Sequence, residues 1–311
     1  MARQPAPKKK VAPSRGLSLS PWARVSQETA QGWDLRKELI IEIERQLSGK
    51  IVVFFTSFRS TNGMIEDSDA EMMENILSAE HSGGRILLIL SSPGGMGLAA
   101  ERIVNVCRTY SKGDFEVIVP HMAKSAATMI CFGASRIHMS PTAELGPVDP
   151  QVKYYDDNQL EHWISAEEYV RSYDRLMTMA TSGEAQRIEP LLQQLARYDA
   201  RYIEQLRSAQ ALSKSISVKL LQTGMMEGKS EGWIEKKISP FLIQEKTSSH
   251  GRMISMAEAR DCGLKIKEID VGSKIWALIW ELYIRVDCVV SSRCAKVIES
   301  AESSVNQPRG S

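Results

Sequence analysis

The stretch LLILSSPGG at residues 87–95 decides the fold. Arg85 to Leu90 is a short run rich in Leu and Ile, the pattern of a strand buried on both faces of a parallel sheet. It breaks into Ser91-Ser92-Pro93-Gly94-Gly95, and a helical pattern follows from Gly97 to Tyr110, with Leu98, Ile103, Val106 and Cys107 sharing a face. Paired glycines at a strand-to-helix turn free backbone N–H groups and let a substrate carbonyl approach without meeting a Cβ. An oxyanion hole needs that arrangement.

Two further motifs follow on the same plan. Phe115 to Pro120 reads as a strand, and AKSAAT at 123–128 places Ser125 at the start of a small-residue helix, Ala126 to Phe132. There the positive end of the helix dipole favours negative charge on an adduct. Taken alone, a serine before a helix is more often a plain N-cap than a nucleophile. Arg136 to Met139 is a further strand, and ELGPVDPQ at 144–151 follows it. Upstream, a helix over Asp34 to Leu47 precedes a strand over Ile51 to Thr56, and a helix over Asp67 to Leu77 precedes the opening stretch. Alternation with short connections predicts a mostly parallel α/β sheet with right-handed crossovers.

SPGG, AKSAAT and SPTAELGPVDPQ, in this order and spacing, resemble the Clp protease/crotonase superfold. Within it they resemble the signal peptide peptidase A-like group, and most closely its serine dehydrogenase proteinase branch. The resemblance covers roughly residues 35–300, and SMAEARDCGLKI at 255–266 is similar to the family's last helix and strand. It implies Ser125 as nucleophile and Gly94 and Gly95 as oxyanion-hole glycines. It implies no cofactor, and the chain has no Walker motif, no GxGxxG and no clustered metal-ligand spacing.

The general base is less legible. In Clp proteases a histidine follows the serine in the region that here holds Gly146, Pro147, Val148, Asp149 and Pro150. Signal peptide peptidases use a downstream lysine instead, which burial can make basic, yet no lysine lies between Lys153 and Lys214. Lys153, Lys214 and His250 remain as candidates, with Lys124 read as a positioning or surface charge beside the serine. Three functions follow as expectations: a serine endopeptidase of Ser-Lys type acting on peptides or partly unfolded proteins, an inactive oligomeric scaffold, or crotonase-like acyl-thioester chemistry. A serine in AKSAAT argues against the last.

The net charge of +1 hides an asymmetry, because residues 1–27 carry six basic residues and no acid, leaving −5 on the remainder. Residues 1–30 therefore read as a disordered basic arm that solubilises rather than binding nucleic acid. Residues 31–270 read as the peptidase domain, with a helical insertion over 165–245 opened by a Ser165/Glu168 capping signature. Residues 271–311 read as an amphipathic helix, spanning Ser273 to Ser300, and a tail. That helix is expected to pack on the body or a second copy, with peripheral membrane contact disfavoured. The longest apolar runs, IVVFF, ILLIL and IWALIW, fall far short of the about 20 residues of a membrane span. No apolar signal-peptide core precedes them. Five cysteines without CxxC pairing argue against a disulfide framework. A cytoplasmic homo-oligomer is the expectation.

Overall fold

The computed structural model describes residues 33–80, 83–155, 158–183, 187–242 and 252–309. The basic arm and His250 lie outside them. The elements run α1 (Asp34–Leu47), β1 (Lys50–Thr56), a 3-10 turn (Thr61–Gly63), α2 (Asp67–Glu80), β2 (Ile86–Ser91), α3 (Gly97–Ser111), β3 (Phe115–Val119), β4 (Met122–Ala123) and α4 (Ala126–Gly133). Next come β5 (Arg136–Met139), β6 (Glu144–Leu145), β7 (Gln151–Tyr155), β8 (Glu161–Ser165), α5 (Ala166–Thr181), α6 (Glu189–Leu195) and α7 (Ala200–Gln222). The chain continues through α8 (Glu231–Lys237), α9 (Ser239–Leu242), β9 (Ile254–Ser255), α10 (Met256–Asp261), β10 (Ile266–Glu268), α11 (Lys274–Ser292), β11 (Cys294–Glu299) and β12 (Ser304–Pro308).

A seven-stranded sheet in the order β10-β5-β3-β2-β1-β11-β12 forms the centre. The pairings among β10, β5, β3, β2 and β1 are parallel, and β11 and β12 add antiparallel. Both faces are covered, so the strands carry apolar residues at successive positions. From β1, Val52 and Phe54 enter a core with α2, α3 and α4, while Ile51, Val53 and Phe55 enter a second core with α1 and α11. A small satellite core joins Val152 of β7, Ala166 and Val170 of α5 and Leu206 of α7.

Four points differ from the expectations. The helix expected from Ser273 to Ser300 ends at Ser292, and Cys294–Glu299 is instead a fully buried strand beside β1. The region from 165 is helical as expected, but it is preceded by the β7–β8 hairpin, which the sequence reading passed over. Ser165 does cap α5, through the Glu167 rather than the Glu168 N–H. Leu98, grouped with Ile103, Val106 and Cys107 on one face of α3, is exposed while those three are buried.

Candidate active site

Beyond the C-terminal ends of the parallel strands, the three sequence motifs meet through their backbones. Ser92 bridges Ala123 in parallel, with Ser92 N–H donating to Met122 O at 3.2 Å and Lys124 N–H to Ser92 O at 3.0 Å. β4 then pairs with β6, and β6 with β9, so SPGG, AKSAAT and ELGPVDPQ lie side by side.

Ser125 sits at the turn from β4 into α4 with φ 50° and ψ −121°. A non-glycine residue there is strained by on the order of 1–3 kcal/mol and persists only where its surroundings impose it. The surroundings do so here. Ser125 N–H donates to Pro147 O at 3.2 Å, and its carbonyl accepts Met129 N–H at 3.1 Å in the first turn of α4. The Thr128 hydroxyl lies 2.8 Å from Ala123 O and 2.9 Å from Gly146 O, and accepts Gly146 N–H at 3.2 Å. Ser125 is half-buried, and its side chain makes no cap bond to α4. That removes the plain N-cap reading.

The glycines lie against it. Gly94 has φ 107°, and a Cβ there would stand 2.6 Å from the Ser125 Cβ and 2.7 Å from Lys124 O. Gly95 forms an isolated parallel bridge with Ile65: Ile65 N–H donates to Gly94 O and Met96 N–H to Ile65 O, both at 2.8 Å. In such a bridge the Gly95 N–H points away from Ile65. Gly94 N–H donates to the buried Ser92 hydroxyl at 3.1 Å. The N–H groups of Gly95 and Ala126 have no acceptor among the described residues. Exposed Phe58, Met64, Met96 and Leu98 belong to the segments on either side of this turn.

The candidate bases are scattered. Lys124 Nζ is 2.5 Å from Glu144 Oε1 and 3.3 Å from Leu145 O, which ties AKSAAT to ELGPVDPQ. Lys153 lies on the β7–β8 hairpin, 2.9 Å from Glu161 and over the Trp163 ring. Lys214 on α7 lies 3.3 Å from Glu235 and lines a cavity of about 420 Å³ with Asp149 and Pro150. Its neighbour Ser213 donates to Val148 O at 2.5 Å, one residue from the carbonyl that holds Ser125. The sequence reading missed Ser92, Thr128 and Ile65, whose roles depend on partners distant in the chain.

A family model described as ClpP-like SDH-type serine proteinase matches residues 35–196, more than half of the sequence. The chain belongs to the ClpP-like SDH-type serine proteinase family. The match covers all three motifs. Two uncharacterized proteins of Methanocaldococcus jannaschii are similar to parts of the chain. One is 42% identical over 91 residues, 29% of this chain and 31% of that protein. The other is 33% identical over 129 residues, 39% of this chain and 43% of that protein. The matched region thus spans less than half the length of either relative.

Proposed function

We propose that this family member is an active serine endopeptidase in which Ser125 attacks a peptide carbonyl to form an acyl-enzyme. The strained backbone of Ser125 beside two uncommitted amides carries the reading. Attack breaks the carbonyl π bond, and the oxygen takes the negative charge. Gly95 and Ala126 N–H groups are the donors suited to receive it, while Gly94 N–H serves the turn through Ser92. The base takes the hydroxyl proton and returns it to the leaving amine; Lys153, Lys214 and His250 are the groups proposed for it, a lysine being favoured.

Exposed Met64 and Met96, which flank the Ile65–Gly95 bridge, suit extended, partly unfolded polypeptide rather than a small polar substrate. The hairpin, with exposed Leu160 and Trp163, and exposed Met177 and Met179 on α5, supply a surface for self-association. A cytoplasmic site of action completes the proposal; among the described residues no helix is long and apolar enough to cross a membrane.

The test is fluorophosphonate labelling together with hydrolysis of a quenched peptide library by wild type and Ser125→Ala. Wild type should label and cleave, and the variant should do neither while keeping its circular dichroism spectrum. Unlabelled, inactive wild type would favour the scaffold reading. The base follows from the pH dependence of kcat/KM: a lysine gives a rise at alkaline pH, a histidine a rise near about pH 6–7. Loss of that rise in one of Lys153→Ala, Lys214→Ala and His250→Ala names the group.

A further inference from the structure

The segment that carries Ile65 is held in place by a strand far along the chain. Lys296 on β11 is 2% exposed, and its Nζ lies 3.1 Å and 2.9 Å from the two carboxylate oxygens of Asp69 in the first turn of α2. Asp69 is fully buried, and its Oδ2 also accepts Glu66 N–H at 2.7 Å. Glu66 follows Ile65 directly, and Ile65 makes the two backbone bonds that enclose Gly95.

A second line runs from the same place. Lys296 is the Cα partner of Thr56 across the β1–β11 ladder. The Thr56 hydroxyl lies 2.7 Å from the Ser92 hydroxyl, which accepts Gly94 N–H. One line therefore reaches Gly95 through Asp69 and Ile65, and the other reaches Gly94 through Thr56 and Ser92.

A buried lysine–carboxylate pair is a poor way to gain stability, because desolvation offsets most of the attraction and apolar residues of equal volume often do as well. It does fix geometry, since the carboxylate must satisfy the ammonium and the Glu66 N–H at once. We propose that Lys296 and Asp69 are positioning residues for the oxyanion turn, setting Met64–Glu66 against Gly95 and so fixing the direction of the Gly95 N–H. The catalytic half rests on the serine-peptidase reading; the structural half stands without it.

The experiment uses purified full-length Lys296→Met, Asp69→Asn and Lys296→Arg with two readouts. Asp69→Asn keeps the side-chain volume and an acceptor for Glu66 N–H, so it serves if Lys296→Met does not fold. In amide hydrogen exchange, Ile65 and Met96 should exchange at least ~10-fold faster in Lys296→Met and Asp69→Asn, while Leu88 to Leu90 of β2 keep wild-type protection. In peptide hydrolysis, kcat should fall ~10- to 100-fold with KM within about twofold, and Lys296→Arg should recover part of both effects. Wild-type exchange at Ile65 and Met96 in the charge-removing variants, or equal loosening of β2, overturns the proposal. A rise in KM with kcat unchanged overturns its catalytic half. Wild type without Ser125-dependent hydrolysis defeats the peptidase reading alone, and the exchange result then still decides the brace.

Discussion

A serine at φ 50° is an uncommon choice, and its neighbours pay for it in conformational freedom. Gly94 must lack a side chain because Ser125 fills that space, and Gly95 must lack one because the Ile65 backbone does. A Cβ at Gly95 would collide with the nitrogen and oxygen of Ile65, so Gly95→Ala has to open the bridge that aims the amide. Its kcat should fall on the order of 10²-fold or more. Near-wild-type turnover in steady-state assays would show that the SPGG turn only shapes the chain. At this scale the meeting of Ser125 with the two glycines was legible, because their residue types are chemically restrictive, whereas the Gly94 N–H, expected to face a substrate, is taken by Ser92. Ser92, Thr56 and Thr128 were not legible: a buried hydroxyl announces nothing until its partners, 36 residues apart for Thr56 and Ser92 and 18 for Thr128 and Gly146, are known.

The helices that carry the site press closely together. α3 and α4 meet at Gly133, where a Cβ would collide with both methyl groups of Val104. Gly133→Ala should therefore destabilise the protein by about 1–3 kcal/mol through overpacking. Adding Val104→Ala should restore part of the loss in denaturant titrations. Equal destabilisation in the single and double variants would locate the cause elsewhere. Elements from α1 to β5 were legible because strong apolar runs alternate with helical periodicity. The segment Cys294–Glu299 misled because Val286, Val289 and Val290 end α11 on a helical stripe, and the strand then buries Lys296 and Glu299. Those charges look solvent-facing in sequence. They are tolerated because Asp69 and Arg36, more than two hundred residues away, receive them.

Across the whole molecule, buried charge pairs fasten distant parts of the chain. Arg36 of α1 meets Glu299 of β11 at 2.7 Å, and Arg85 beside β2 meets Glu116 of β3 at 2.7 Å. Glu116 also bonds His138 of β5. Burial would raise the Glu116 carboxyl, but its hydrogen bonds with His138 and Arg85 outweigh that and lower it from 4.5 to about 2. A depressed carboxyl contributes stability above its unfolded pKa and loses it as pH falls toward the folded one, here between about 4.5 and about 2. The contribution is on the order of 1–3 kcal/mol. Wild type should therefore exceed Glu116→Gln in stability at neutral pH, with the gap closing toward pH 2. A gap in urea midpoints that stays constant across that range would rule the linkage out.

The position of β11 also orders events in time. The strand that lies beside β1 and buries Lys296 against α2 spans residues 294–299. A ribosome-bound chain that has not yet exposed residue 299 has made Ser125 and both glycines but has nothing to seat against Thr56. The SPGG turn and Ser125 are therefore synthesised before the strand that frames them. The contact between Lys296 and Asp69, 227 residues apart in the chain, closes only once both segments have been made.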